Sequence, residues 1–137
     1  MREILFRGKR LDNGEWVEGF LLKVTIGGES AYLIFGDNFC FDGSDVKALS
    51  HALVDPATVG QFTGLLDKHG SRIFEGDIVR YGNRPGYVIF GNGCFSVQDS
   101  VTQSHPAIDL VMFQWDVTVI GNVHDNPELL EGGGDHV

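Results

Sequence analysis

From Val54 to Arg80 the chain carries apolar runs too short for helices, cut at close intervals by residues that force turns. Runs of that length bounded by Asp and Gly read as strands. The tightest cut is Asp67-Lys68-His69-Gly70, where Asp67 can accept a hydrogen bond from the backbone two residues on and Gly70 takes positive φ without a Cβ clash. This predicts a hairpin built on a type I turn followed by a glycine bulge. Glu75-Gly76-Asp77 predicts a second bend, after which Ile78-Val79 pairs elsewhere, and Asp55-Pro56 predicts one helical turn capped by Asp55. Asp67, Gly70, Glu75, Gly76 and Asp77 are therefore assigned to shaping the path of the chain.

The remainder extends the β reading. Glu3 to Lys9 alternates as a strand, and Asp12-Asn13-Gly14-Glu15 predicts a two-residue type I′ hairpin with Asn13 and Gly14 at positive φ, returning through Trp16 to Val24. Gly27-Gly28 turns into Ala31 to Phe35, an apolar strand expected in the core. Between Gly36 and Leu53 the spacing does not separate helix from strand, with Cys40 in a short strand and Ser44 capping a helical turn as one option. Gly82 to Gly86 is expected to be a loop, Tyr87 to Phe90 and Cys94 to Gln98 a hairpin about Gly91-Asn92-Gly93, and Ser100 to Pro106 an exposed loop. The last strand is Val117 to Val123, and Asn126 caps a final turn that opens on Pro127. The expected fold is all-β: an antiparallel meander plus a small SH3-like barrel or pseudobarrel from Gly76 to Gln98, with one or two single-turn helices. One domain over residues 1–131 and a flexible glycine-rich tail over 132–137 follow.

Three ordered blocks carry a resemblance. Met1 to Gly8, the central Gly60-Gln61-Phe62-Thr63-Gly64 with the Asp67 turn and Glu75 to Val79, and Ile120 to Leu129 resemble the YopX-like family of small bacteriophage and prophage proteins. Phe62 and Phe74 stand where that family more often has Tyr, and His69 where it more often has Asn, which argues against proton chemistry at those positions. The resemblance implies a mostly β fold and a phage context, and it implies no reaction.

Composition narrows the function classes. A chain of 137 residues can build its own core. Its two cysteines, Cys40 and Cys94, lie far apart beside phenylalanines and are expected as buried thiols; no metal-ligand spacing is present, and no metal or other cofactor is implied. The apolar run after Arg2-Glu3 is too short for a secretory signal and no run approaches a membrane span, so the host cytoplasm is the expected location, without membrane partners. Every Lys and Arg lies at or before Arg84, the remaining 7 acids follow it, and the net charge is −9. Such a chain repels phosphate backbones.

Arg2, Arg7, Lys9 and Arg10, opposed only by Glu3 and followed by Trp16, form the one basic cluster. They read either as a charged edge strand that blocks unwanted pairing or as an interaction surface. Three functions are weighed. A non-enzymatic phage protein acting through protein binding or self-assembly fits best, with a homo-oligomer expected through exchange of the N-terminal edge strand and a host or phage protein as the other partner. A nucleic-acid module would use Trp16, Phe20, Tyr81 and Tyr87 as stacking platforms and Arg2, Arg7, Arg10, Arg72, Arg80 and Arg84 as phosphate contacts. An enzyme would have to use Glu75 and Asp77 as paired carboxylates with His124 and Asp125, and a third group for a complete site is missing. No catalytic residue is assigned. His51 is expected as a half-buried packing residue.

Overall fold

The computed structural model describes residues 3–36, 40–42, 45–47, 51–99, 108–110 and 116–130. Arg2, the Ser44 cap, the loop from Ser100 to Pro106 and the tail over 132–137 lie outside them. Contacts divide the chain into two compact units, Met1–Gln61 and Phe62–Val137. Both are built from antiparallel strands, with described 3-10 turns at Pro56–Thr58 in the first and Pro127–Leu129 in the second.

In the first unit β1 (Phe6–Lys9), β2 (Trp16–Ile26), β3 (Glu29–Phe35) and β6 (His51–Val54) lie in the order β6-β3-β2-β1, and β4 (Cys40–Asp42) and β5 (Asp45–Lys47) form a separate hairpin. Asp45–Lys47 is thus strand where a Ser44-capped helical turn was one option. β1 is not an edge: it pairs with β2 from Phe6↔Gly19 to Lys9↔Trp16, and on its other side with the start of β7 (Gly60–Leu66) through Phe6↔Gln61 and Arg7↔Gly60. Its charges therefore do not guard an open edge. The β1–β2 turn also departs from expectation. Only Gly14 has positive φ, the Arg10 amide donates to the Glu15 carbonyl, and the Gly14 amide donates back to the Arg10 carbonyl, making a four-residue loop. The reason is that the Asn13 side chain accepts from the Glu15 amide, a bond made from ordinary negative φ.

Side chains alternate across β2, β3 and β6, so the pairing register assigns faces. Ile34, Ala52 and Val54 are buried on one face, where Gly8 lies so close to Val54 that an added Cβ would come within 3.1 Å. The Pro56–Thr58 turn closes this side. Asp55 caps it as predicted, accepting from the Ala57 amide, and Thr58 accepts from the Lys9 amide while donating to the Asp55 carbonyl. The strand from Ala31 to Phe35 is consequently only half in the core.

In the second unit the rest of β7 pairs with β8 (Arg72–Phe74), and β9 (Asp77–Tyr81), β10 (Arg84–Gly91), β11 (Cys94–Asp99), β12 (Ile108–Asp109) and β13 (Val117–Asn122) form a sheet in the order β12-β11-β10-β9-β13. Ile73, Val79, Val88, Val97, Leu110 and Val117 make its core. The sheet is open; no closed barrel occurs among the described residues, because β13 pairs with β9 on one side and is finished on the other by a turn. Arg84 to Gly86 belongs to β10 and not to a loop: Gly82 alone supplies the positive φ of a two-residue turn that closes on Tyr81↔Arg84. Gly91-Asn92-Gly93 turns the chain as expected, with Asn92 and Gly93 both at positive φ.

Candidate interaction surface

The turn residues act locally and then at a distance. The Asp67 carboxylate accepts from the His69 amide at 2.9 Å and the Ser71 amide at 2.9 Å, and Gly70 takes φ 86°, the predicted type I turn with its bulge. Its second oxygen accepts from the Val119 amide at 3.0 Å, while the Lys68 amide donates to the Val117 carbonyl at 3.0 Å. Those groups are the outward backbone groups of β13, so the turn occupies an edge that would otherwise be open to another strand. Burial pushes the Asp67 carboxyl up, but the amides of Val119, Ser71 and His69 outweigh it and hold the group below the usual carboxylate range.

Asp77 is 1% exposed and accepts from the Phe74 amide at 2.8 Å. Gly76, at φ 91°, donates to the Val88 carbonyl and accepts from the Val123 amide, pinning the bend to β10 and to the segment after β13. The fold thus brings Glu75, Gly76 and Asp77 beside His124 and Asp125 in backbone terms. Asn122 gathers that segment, its side-chain oxygen accepting from the His124 and Asp125 amides and its amide nitrogen donating to Asp125. Asn126 does not cap the following turn, because its side-chain oxygen accepts from the Asn122 amide instead. Among the described residues no group of three or more His, Cys, Asp or Glu is placed to hold a metal ion. Cys94 is half-buried, not fully buried, with its thiol 3.3 Å from the Asp109 carboxylate.

The basic cluster is drawn together on β1 and β2 but engaged internally. The Arg7 guanidinium lies 4.8 Å above the Trp16 ring and the Lys9 ammonium 5.7 Å from it. Arg10 makes a two-pronged pair with Asp12, at 2.9 and 2.8 Å, whose bonds raise the Arg10 pKa and lower that of Asp12. Asp12, and not Glu3 alone, opposes the cluster. Of the other phosphate-contact candidates, Arg84 bonds Asp99 at 3.1 Å and Arg72 lies over the Phe62 ring. Tyr81 and Tyr87 are half-buried, and burial followed by the Asp99 charge pushes the Tyr81 hydroxyl up.

Phe20 is different. It lies on the face of β2, β3 and β6 opposite the core, and the register places Phe20 against Phe35, Leu22 against Leu33, Val24 against Ala31, then Phe35 against His51 and Leu33 against Leu53. Phe20 is 51% exposed, Leu22 47%, Ile26 76% and Leu53 49%, with Leu11 at 63% beside Leu53. His51 is exposed, its ring 5.6 Å from that of Phe35. Single exposed apolar residues are ordinary; a group of them across three strands makes this face the candidate surface. Sequence reading missed Leu11, Leu22, Ile26 and Leu53. The available signal was Phe20 to Ile26, where Phe20, Leu22, Val24 and Ile26 fall on one parity and Lys23 and Thr25 on the other, so alternation marks an apolar face without saying what covers it.

No described helix is long and apolar enough to cross a membrane. No curated protein matches the chain. The crystal structure of protein EF1440 from Enterococcus faecalis is similar to it, with a TM-score of 0.63 and 26% identity over 96% of this chain and 100% of that one. The YopX protein family matches over residues 5–131, the span that holds both units' described strands, and the chain belongs to that family.

Proposed function

We propose that this protein is a non-enzymatic accessory protein that works by binding protein, another chain or its own, in the bacteriophage or prophage setting that its sequence resemblance implies. One observation carries the reading: the apolar outer face of β2, β3 and β6, with Phe20, Leu22, Ile26 and Leu53 about half exposed or more. Such a face loses free energy to water until something covers it. Asp77, one of the two carboxylates of the enzyme reading, is buried and accepts from the Phe74 amide, which supports a role in holding the bend.

Nucleic acid is the weaker partner on charge and geometry together. The chain carries −9, Arg10 and Arg84 are paired with carboxylates, and Arg7 and Lys9 lie over the ring of Trp16 that a base would need. The test is affinity capture from infected host cells with a parallel nuclease digest, using the native chain and Leu22→Glu. Capture of a protein that survives digestion and is lost with Leu22→Glu supports the reading. Capture that digestion abolishes, or direct binding to single or double strands that weakens steeply with salt, overturns it.

A further inference from the structure

Two Asn-Gly pairs occur in the chain, Asn13-Gly14 and Asn92-Gly93, and each stands at the turn of a hairpin, between β1 and β2 and between β10 and β11. The pair suits such turns because both residues accept positive φ. It also carries a latent reaction. The glycine's backbone nitrogen can reach the asparagine side-chain carbon to close a five-membered ring, and a glycine has no Cβ to shield that nitrogen. The two sites differ in what the fold does with the reacting groups.

At Asn13 both groups are held elsewhere. The side-chain oxygen accepts from the Glu15 amide at 2.9 Å, and the Gly14 amide donates to the Arg10 carbonyl at 3.0 Å. At Asn92 neither is held by a described residue. The turn closes on Gly91↔Cys94, so Asn92 and Gly93 lie outside the ladder. Among the described residues nothing accepts from the Gly93 amide and no hydrogen bond fixes the Asn92 side chain. Both residues are exposed, and a Cβ built on Gly93 would meet nothing within 4 Å. Asn92 is also the one described residue other than glycine at positive φ, 52°, a region that costs an L residue free energy, so its backbone does not resist leaving the turn geometry.

From this contrast we infer that Asn92 is a site of spontaneous deamidation, and that the fold protects Asn13 although its neighbour is the same. The Gly93 nitrogen bonds to Cγ of Asn92. The bond from Cγ to the side-chain nitrogen breaks, and that nitrogen leaves as ammonia with the proton that the Gly93 nitrogen gives up. Water then opens the cyclic imide at either carbonyl, leaving aspartate or isoaspartate. One ammonia is lost, one water is taken up, and nothing is oxidised or reduced. The product carries one negative charge more than the native −9. In the isoaspartate form the main chain runs through the former side chain and is one atom longer. A two-residue turn of that length no longer fits Gly91↔Cys94, next to which the Phe90 and Phe95 rings meet edge to face at 4.9 Å.

Peptide mass spectrometry on the full-length chain tests it, with samples aged in neutral buffer either folded or unfolded in guanidinium chloride. In the folded chain Asn92 is expected to convert at least about tenfold faster than Asn13, because each of the two bonds that must open at Asn13 slows attack by roughly two- to tenfold. In guanidinium chloride the two sites are expected to convert at comparable rates, since both bonds are then gone. A protein-isoaspartate methyltransferase with a labelled methyl donor is expected to label the peptide that holds Asn92 in the aged folded chain. Asn13 converting as fast as Asn92 in the folded chain overturns the proposal. So does Asn92 staying intact when folded over the time in which it converts unfolded, or a preference for Asn92 that survives unfolding and thus belongs to local sequence. Conversion at Asn92 without methyl label overturns the imide route.

Discussion

Replacing Asp67 tests whether the turn holds β13 as well as its own loop. The carboxylate accepts from His69 and Ser71 at 2.9 Å each and from Val119 at 3.0 Å. A hydrogen bond to a charged group is worth about 1.5–3 kcal/mol, and bonds that share one carboxylate do not add fully, so Asp67→Ala is expected to cost about 3–4 kcal/mol. Against a total stability of about 5–15 kcal/mol this is severe. Asp67→Asn keeps the oxygen that serves His69 and Ser71 but turns an amino group toward the Val119 amide, and is expected to cost about 1–2 kcal/mol. Urea unfolding reads both: with a slope of about 2 kcal/mol per molar, the midpoint falls by roughly 1.5–2 M for Ala and by less than 1 M for Asn. The pH dependence has a fixed sign. Asp67 has a lower pKa folded than unfolded, so its contribution is complete above the unfolded value, about 3.9, and is lost as pH falls through the folded one. The gap between native and Asp67→Asn therefore narrows below about pH 4. If Asp67→Ala costs under about 1 kcal/mol, a typical turn or cap value, the bond across to β13 contributes nothing and the reasoning fails.

Asp77→Ala is expected to lower stability by about 1–3 kcal/mol, the cost of leaving the buried Phe74 amide without its acceptor, and to leave protein capture intact; capture with the folded variant separates the two effects. Gly19→Ala is expected to cost about 3 kcal/mol by thermal or urea unfolding, because its Cβ would overlap the Phe35 carbonyl oxygen and force β2 from β3. Gly27→Ala, at φ 60° with nothing near the added carbon, is expected to cost only about 1–2 kcal/mol of backbone strain in the same measurement. A salt titration with single-stranded DNA is expected to show no saturable binding even at low salt.

Turns that depend on bonds only a few residues long were legible in the chain. Asp67 to Gly70, Gly91-Asn92-Gly93, Gly27-Gly28 and the Asp55 cap each follow from side-chain reach and tolerated φ, and so does the β class they impose. The candidate surface was not legible as a surface, because Phe20, Leu22, Val24 and Ile26 share one parity against Lys23 and Thr25 on the other, and such alternation assigns the apolar side to the core. Packing decides otherwise: Ile34 and Val54 take one face and leave Phe20, Leu22 and Leu53 on the other. Competition between distant partners escaped the sequence for the same reason. β1 became an interior strand once Gly60 and Gln61 paired with it, and Asn126 gave its oxygen to Asn122 rather than to its own turn. The spare carboxylate oxygen of Asp67 found an amide 52 residues away. Short-range sterics thus set where the chain turns, whereas the side that faces water is settled only when the strands have met.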